Sequence, residues 1–340
     1  MIVLTNCLTK EADEGGLKVA HSLAERIKRL DEHAALISYG QRGELEDIHL
    51  NLNKLMLSRR LSRILKEKGE NVLYMPQYAR MLPMALRTFI LSRCTPKELW
   101  VLLSMKSHMG WPAKCLLRWS RAKVIAVSNQ SWLSFREIIG ENAHYLRTGV
   151  DTARFSPVSE EKKRALRVQY GIPEEKTVVL HVGHMVRGRN IAGLAELDER
   201  FHGVLVVSTK MREQWDAALS EELRSCPNVT VIDTYIPRIE EIYQMADVYL
   251  FPVMEEMNCI DVPLSALEAA SCGIPVVATK YGELSELIDH KGFYHITSFN
   301  GDCLNELLDR AAQERENPRE SVLAYDWNAS AARLIRLLNA

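Results

Sequence analysis

The sequence predicts an α/β protein built from two doubly wound domains, each a parallel sheet with helices on both faces. Three observations lead there. Short runs of Val, Ile and Leu alternate with helical stretches across the whole chain, the pattern of parallel strands buried on both sides. The alternation breaks once, at residues 149–162, and then restarts. The 340 residues are enough for two such domains with sizeable cores.

The elements follow in order. IVLTN reads as a strand, GLKVAHSLAERIKRL as a helix and AALISYG as a strand; LMLSRRLSRILKEKG is expected to be helical and NVLYM extended. MLPMALRTFILSR and LWVLLSM repeat the pair, and CLLRWSRA leads into the strand KVIAVSN. GVDTARFSPVSEEK carries a Pro and a polar run and reads as a linker. TVVLHVG restarts the pattern, followed by a helix from Ile191, then GVLVVST, VTVID, the helix IEEIYQMA and the strand DVYLFPV. The helix LSALEAASC and the strand PVVATK close the second set.

Composition bounds the function. With 47% apolar and 26% charged residues the chain has a globular composition, and no apolar run is long enough to span a bilayer. MIVLTNCLT has neither a basic start nor a cleavage site, so a cytoplasmic location is expected. The seven cysteines are scattered without CxxC spacing, which speaks for reduced thiols rather than disulfides or zinc. The net charge of −1 hides an asymmetry: residues 1–150 carry 23 Lys and Arg against 14 Asp and Glu, the remainder 20 against 30. Two halves of opposite sign suggest different partners. No Ser-His-Asp or Cys-His constellation and no Asp-x-Asp at a strand end is visible, so no metal site is assigned.

Doubly wound sheets bind ligands at the carboxyl ends of their strands, through loops and helix N-termini, here in a cleft faced by both domains. Three helix starts qualify. Gly15 and Gly16 precede the first helix, where glycine lets the backbone approach a ligand and leaves amides for an anion; two glycines also make an ordinary turn. HVGHMVRGRN, residues 181–190, sets Arg187 and Arg189 past a buried strand, where arginine suits a phosphate; a solvated basic loop is the alternative. The third is LSALEAASC. Pro263 suits its first turn, and the amides of Leu264 and Ser265 have no acceptor inside the helix. Glu268, a lone carboxylate among small apolar residues, lies one turn further on. Buried and unpartnered it would be costly, so it faces water or serves a polar group such as a diol beside a phosphate.

TGVDTARFSPV resembles the NGVDxxxF-x-P linker of retaining GT-B glycosyltransferases of the family-4 type, also called glycosyl transferases group 1. AKVIAVSN, IEEIYQMADVYLFPV, ALEAASCGIPVVAT and YDWNASAARLI fall in that family's order, and the resemblance runs from EGGL to the last helix. It implies two Rossmann-like domains facing a central cleft: residues 1–155 on the acceptor side, 156–322 binding a nucleotide sugar, and 323–340 packing back toward the N-terminal domain.

The resemblance also implies roles. Glu268 matches the second glutamate of the E-x7-E motif, which holds the donor ribose, and Arg189 matches the basic residue that neutralises the donor diphosphate. Gly15 and Gly16 match the glycine loop over the same phosphates, and His108 stands near the place of a catalytic histidine. Two positions depart from the pattern. The first glutamate of E-x7-E falls on Ile260, with Asp261 beside it as the substitute for sugar hydroxyls, and the arginine after the strand glycine is His184, with Arg187 near.

The expected function is a metal-independent, cofactor-free, retaining transfer from a nucleotide-diphosphate sugar to a glycan, lipid-linked or small-molecule acceptor. A non-catalytic sugar-nucleotide-binding module and a nucleotide-sugar epimerase of the same fold stand as alternatives. The basic, apolar stretch 54–123 makes an anionic membrane surface an expected contact, at the inner face. Nucleic acid is not an expected partner.

Overall fold

The computed structural model describes residues 1–9, 14–77, 80–104, 109–208, 215–255 and 258–339. The chain divides into two compact units. Unit 1 comprises Met1–Thr148, Cys259–Val262 and Trp327–Ala340; unit 2 comprises Gly149–Asn258 and Pro263–Asp326.

Unit 1 runs β1 (Ile2–Thr5), α1 (Gly15–Leu30), β2 (Ala35–Ser38), β3 (Ile48–His49), α2 (Arg59–Lys68), β4 (Val72–Met75) and α3 (Met81–Cys94). It continues with β5 (Leu99–Leu103), α4 (Trp111–Ser120), β6 (Lys123–Ala126), α5 (Asn129–Ile139) and β7 (Ala143–Tyr145). Its sheet has the order β3-β2-β1-β4-β5-β6-β7, every pairing parallel. The central strands are apolar throughout because helices cover both faces: β1, β2, β4 and β5 are buried along their whole length.

Unit 2 runs α6 (Glu160–Tyr170), β8 (Thr177–Gly183), β9 (Phe201–Val207), α7 (Ala217–Ser225), β10 (Val229–Ile232), α8 (Ile239–Gln244) and β11 (Val248–Phe251). It continues with α9 (Leu264–Ser271), β12 (Val276–Ala278), α10 (Leu284–Leu287), β13 (Phe293–His295), α11 (Gly301–Glu314) and α12 (Arg319–Val322). Its sheet order is β10-β9-β8-β11-β12-β13, again all parallel. The last helix, α13 (Trp327–Asn339), packs on α1 of unit 1.

In both sheets the strand order reverses once, between β1 and β4 in unit 1 and between β8 and β11 in unit 2. A reversal opens a crevice at the strands' carboxyl ends, because the two flanking connections leave in opposite directions. The Gly15–Gly16 turn follows β1, and residues 184–190 follow β8. Both candidate turns therefore stand at switch points.

Several local features differ from the sequence reading. The expected helix from Leu55 begins only at Arg59. Asn53 Oδ1 accepts from the amides of Leu55 and Leu57, Met56 takes φ +58°, and Ser58 caps the helix by accepting from Leu61 N. That side-chain turn competes with the helix and wins. The expected helix from Ile191 is instead a 3-10 stretch, Ile191–Glu196, entered through Asn190 at φ +54°. Residues 160–162, read as linker, open α6, whose cap is the hydroxyl of Ser159. Among the described residues no helix is long and apolar enough to cross a membrane.

Candidate active site

The strongest feature of unit 2 lies where β8 ends. Arg189 belongs to a 3-10 turn, Arg187–Arg189, and is buried to 6% exposure. Its guanidinium makes no ion pair or side-chain hydrogen bond among the described residues, and Nε is both buried and unpartnered. A buried cation is costly unless it is paired, and among the described residues no anion pairs with this one. Two glycines let neighbouring side chains pack closely against this segment. A Cβ on Gly183 would lie 2.2 Å from Arg189 Nη1 and 2.8 Å from His181 Nε2. A Cβ on Gly188 would lie 2.4 Å from Asn258 Nδ2. Asn258 Nδ2 donates to the Gly188 carbonyl at 3.0 Å, and Asn190 Nδ2 donates to the Pro252 carbonyl at 3.0 Å, so the turn is held on both sides.

Arg187, two residues away, is a different object. It is about half exposed and already paired, 3.0 Å from Asp216 and 3.5 Å from Glu222. His184, half-buried, follows Gly183 in the same loop.

His181, the first residue of HVGHMVRGRN and given no role from the sequence, is wholly buried beside Arg189. Its Nδ1 lies 2.8 Å from the Leu250 carbonyl, which can only accept, so the proton sits on Nδ1 and Nε2 carries the lone pair. Burial, helped by the Arg189 charge, lowers its pKa to about 3 and keeps the ring neutral. The ring stacks on Tyr249 at 6.3 Å between centroids; Tyr249 meets Tyr243, and Tyr243 meets Phe155 edge-on. A polar residue inside the buried run TVVLHVG is the signal that marks His181 in the sequence.

Glu268 sits in the middle of α9 at 3% exposure. Its Oε2 accepts from the Tyr243 hydroxyl at 2.8 Å. Of the two expectations, water or a polar partner, the structure gives a polar partner, and it is a tyrosine. Burial and the neighbouring carboxylate push the Tyr243 hydroxyl well above the ordinary phenol range, so it stays a donor. At the start of the helix, the amides of Ala266 and Leu267 both reach the Pro263 carbonyl. The amides of Leu264 and Ser265 have no such acceptor among the described residues, as a helix N-terminus requires.

The remaining candidates lie in unit 1. Gly15 and Gly16 open α1, and each has a packing reason to be glycine. A Cβ on Gly15 would lie 2.9 Å from Ile260 Cδ1, and one on Gly16 would lie 2.7 Å from the Gln77 carbonyl. The Gln77 side chain bridges back to Cys7, accepting from its amide at 3.0 Å and donating to its carbonyl. Asp261 is assigned to unit 1 with Ile260, at 5% exposure. Its carboxylate accepts from the hydroxyls of Ser128, at 3.3 Å, and Ser131, while its amide donates to the Ser104 carbonyl. The structure thus gives Asp261 a post at the N-terminus of α5, where its charge also suits the helix dipole. His108 lies outside the described residues.

In unit 2 Arg189 and His181 adjoin at Gly183, and Tyr249 and Tyr243 link His181 to Glu268; Gly15, Gly16, Ile260 and Asp261 belong to unit 1. Residues 176–313 match the family model described as glycosyl transferases group 1. The chain is 27% identical over 372 residues to a GDP-mannose-dependent alpha-(1-6)-phosphatidylinositol monomannoside mannosyltransferase of Mycolicibacterium smegmatis, covering 97% of this chain and 93% of that one. Two other curated glycosyltransferase relatives match about half of the chain, which spans only 48% and 38% of their own length. A glycosyltransferase from Rickettsia africae superimposes with TM-score 0.81 at 17% identity, over 99% of this chain and 97% of that one. Anabaena HepE, solved in complex with UDP, gives 0.76 at 17% identity over all of both chains. At such identity these structures show the fold, that of the two-domain α/β glycosyltransferases.

Proposed function

We propose that this chain, whose residues 176–313 match the glycosyl transferases group 1 model, is a retaining, metal-independent glycosyltransferase that uses a nucleotide-diphosphate sugar. The observation that carries the reading is Arg189: a buried guanidinium with no anion beside it among the described residues, at the carboxyl end of the strand where the sheet reverses. HepE's binding of UDP supports a nucleoside diphosphate as that anion.

The chemistry follows from charge. When the glycosidic bond breaks, its electron pair leaves with the diphosphate, which gains negative charge. Arg189 and the amides of Leu264 and Ser265 meet that charge, already in place and partly dry, where such groups act most strongly. In this reading they do the work that a metal ion does elsewhere. Glu268, fixed by Tyr243, orients the ribose diol. The N-terminal half, with its excess of cations, receives a glycan, lipid-linked or small-molecule acceptor and contacts an anionic membrane surface.

One observation favours a second reading, a module that binds the sugar nucleotide without turning it over. Ile260 is apolar and packed on Gly15, and the Asp261 carboxylate is already engaged by two serines. Incubation with UDP-, GDP- and ADP-hexoses and lipid or glycan acceptors separates the two. The enzyme releases nucleoside diphosphate, undiminished by EDTA, and gives a product with the donor's anomeric configuration. Saturable binding without release establishes the module instead; inversion or loss of rate in EDTA removes the corresponding part of the mechanism.

A further inference from the structure

Unit 1 contains a polar cavity at the opposite end of its sheet from the Gly15–Gly16 turn. It has a volume of about 590 Å³, within the range of small-molecule pockets, and lies where β5 and β6 begin. Its walls come from the ends of α3 and α4 and the strand starts at Leu99 and Lys123.

The charge in this cavity is one-sided. Five cations line it against one carboxylate, Glu98. Glu98 is spoken for: it pairs with Lys123 at 2.7 Å and accepts from the Trp100 indole N–H at 3.1 Å. Lys123 is further held over the Trp100 ring, 4.5 Å from its centroid. Arg93, Lys97, Arg118 and Arg121 have no ion pair among the described residues. Arg93 is positioned by the Phe89 ring, 4.8 Å from its centroid, rather than by a carboxylate.

Helix dipoles explain part of this. Arg93 and Arg118 stand in the last turns of α3 and α4, where cations complement the carbonyl end. Lys97 and Arg121 lie beyond those turns, and Arg121 adopts φ +57° to leave its helix. Between Arg118 and Arg121, Trp119 is 62% exposed on the same cavity wall. Guanidinium forks match phosphate oxygens through paired donors, and an exposed indole offers a broad apolar face.

We propose that this cavity binds a phosphate-bearing ligand of sugar size, the phosphate held by Arg118, Arg121 and Lys97 and the ring laid on Trp119. The site is separate from Arg189, which sits in the other unit, and does not depend on the donor reading. Its phosphate can come from a free sugar phosphate or from a lipid headgroup, and one experiment distinguishes them.

Glucose 6-phosphate and vesicles of phosphatidylcholine with or without phosphatidylglycerol are titrated into the full chain, its Arg118→Ser/Arg121→Ser variant and its Arg189→Ala variant. Both altered arginines at the cavity are exposed, so the double variant keeps the fold, which circular dichroism checks. The proposal expects saturable binding of glucose 6-phosphate that is weakened at least tenfold in the double variant and kept in Arg189→Ala. Binding restricted to the anionic vesicles, and lost in the double variant, keeps the phosphate site and identifies the lipid headgroup as its source. Absence of binding to either probe overturns the proposal. So does binding that survives the double substitution or disappears in Arg189→Ala. UDP binding in the same double variant reports on the donor reading independently.

Discussion

Arg187 and Arg189 share one 3-10 turn, yet among the described residues only Arg187 has an anion beside it. Arg187 is exposed and bridged to Asp216 and Glu222, while Arg189 is buried with an unpartnered Nε. Sequence spacing marked both; burial and pairing separate them. Glu268 was legible as an oddity, a carboxylate in a small-residue helix, but its tyrosine partner comes from α8, 25 residues earlier, and no local pattern reveals such a pair. Glu268→Gln should preserve the fold and weaken nucleotide-sugar use by about 1–3 kcal/mol, since an amide pairs less well with the donors a carboxylate serves. Steady-state kinetics checks this, and unchanged kcat/KM would remove Glu268 from the site. His181 yields a pH prediction. Its pKa is lowered from 6.5 to about 3, so between those values the unfolded chain binds a proton that the folded chain does not. Its contribution therefore destabilises the fold progressively as pH falls from 6.5 toward 3, by up to ~1.4 kcal/mol per pH unit. NMR titration should show the His181 ring neutral down to about pH 4; a midpoint near 6 would mean that the ring is not buried as described.

At the scale of elements, the strands were the most legible parts, because parallel strands covered on both faces must be continuously apolar. Helix starts were less so. Asn53 and Met56 delay α2 through a side-chain turn that resembles helix sequence until hydrogen bonds are placed. The segment 259–262 shows the same limit at longer range: adjacent to α9 in sequence, it is assigned to unit 1, where Asp261 takes the hydroxyls of Ser128 and Ser131. Asp261→Ala leaves two buried hydroxyls without their acceptor. It should cost about 1–3 kcal/mol of stability, read by thermal unfolding. Full stability with lost sugar transfer would return Asp261 to the sugar-binding role that its place in the motif suggests. Gly183→Ala places a methyl 2.2 Å from Arg189 Nη1. The guanidinium must shift, so nucleotide binding should fall several-fold or more; unchanged binding would show that the anion does not sit against this strand end.

For the whole molecule, the two sheets, each with a single reversal, were legible from the alternation of elements and its one interruption, because a parallel sheet constrains the order of strands and helices along the chain. The chemistry was legible only where a motif carried it. The buried neutral histidine, the tyrosine row and the committed Asp261 all depend on contacts between residues far apart in the chain. The central claim is that Arg189 receives the diphosphate, and calorimetric titration of UDP, GDP and ADP into the wild type, Arg189→Ala and Arg187→Ala tests it most directly. At least one nucleoside diphosphate should bind the wild type. Arg189→Ala should weaken that binding roughly 10–100-fold, the scale of a charge-assisted hydrogen bond, while Arg187→Ala stays within about twofold, as an exposed ion pair implies. Equal losses in the two variants, a larger loss at Arg187, or no binding of any of the three would contradict the account.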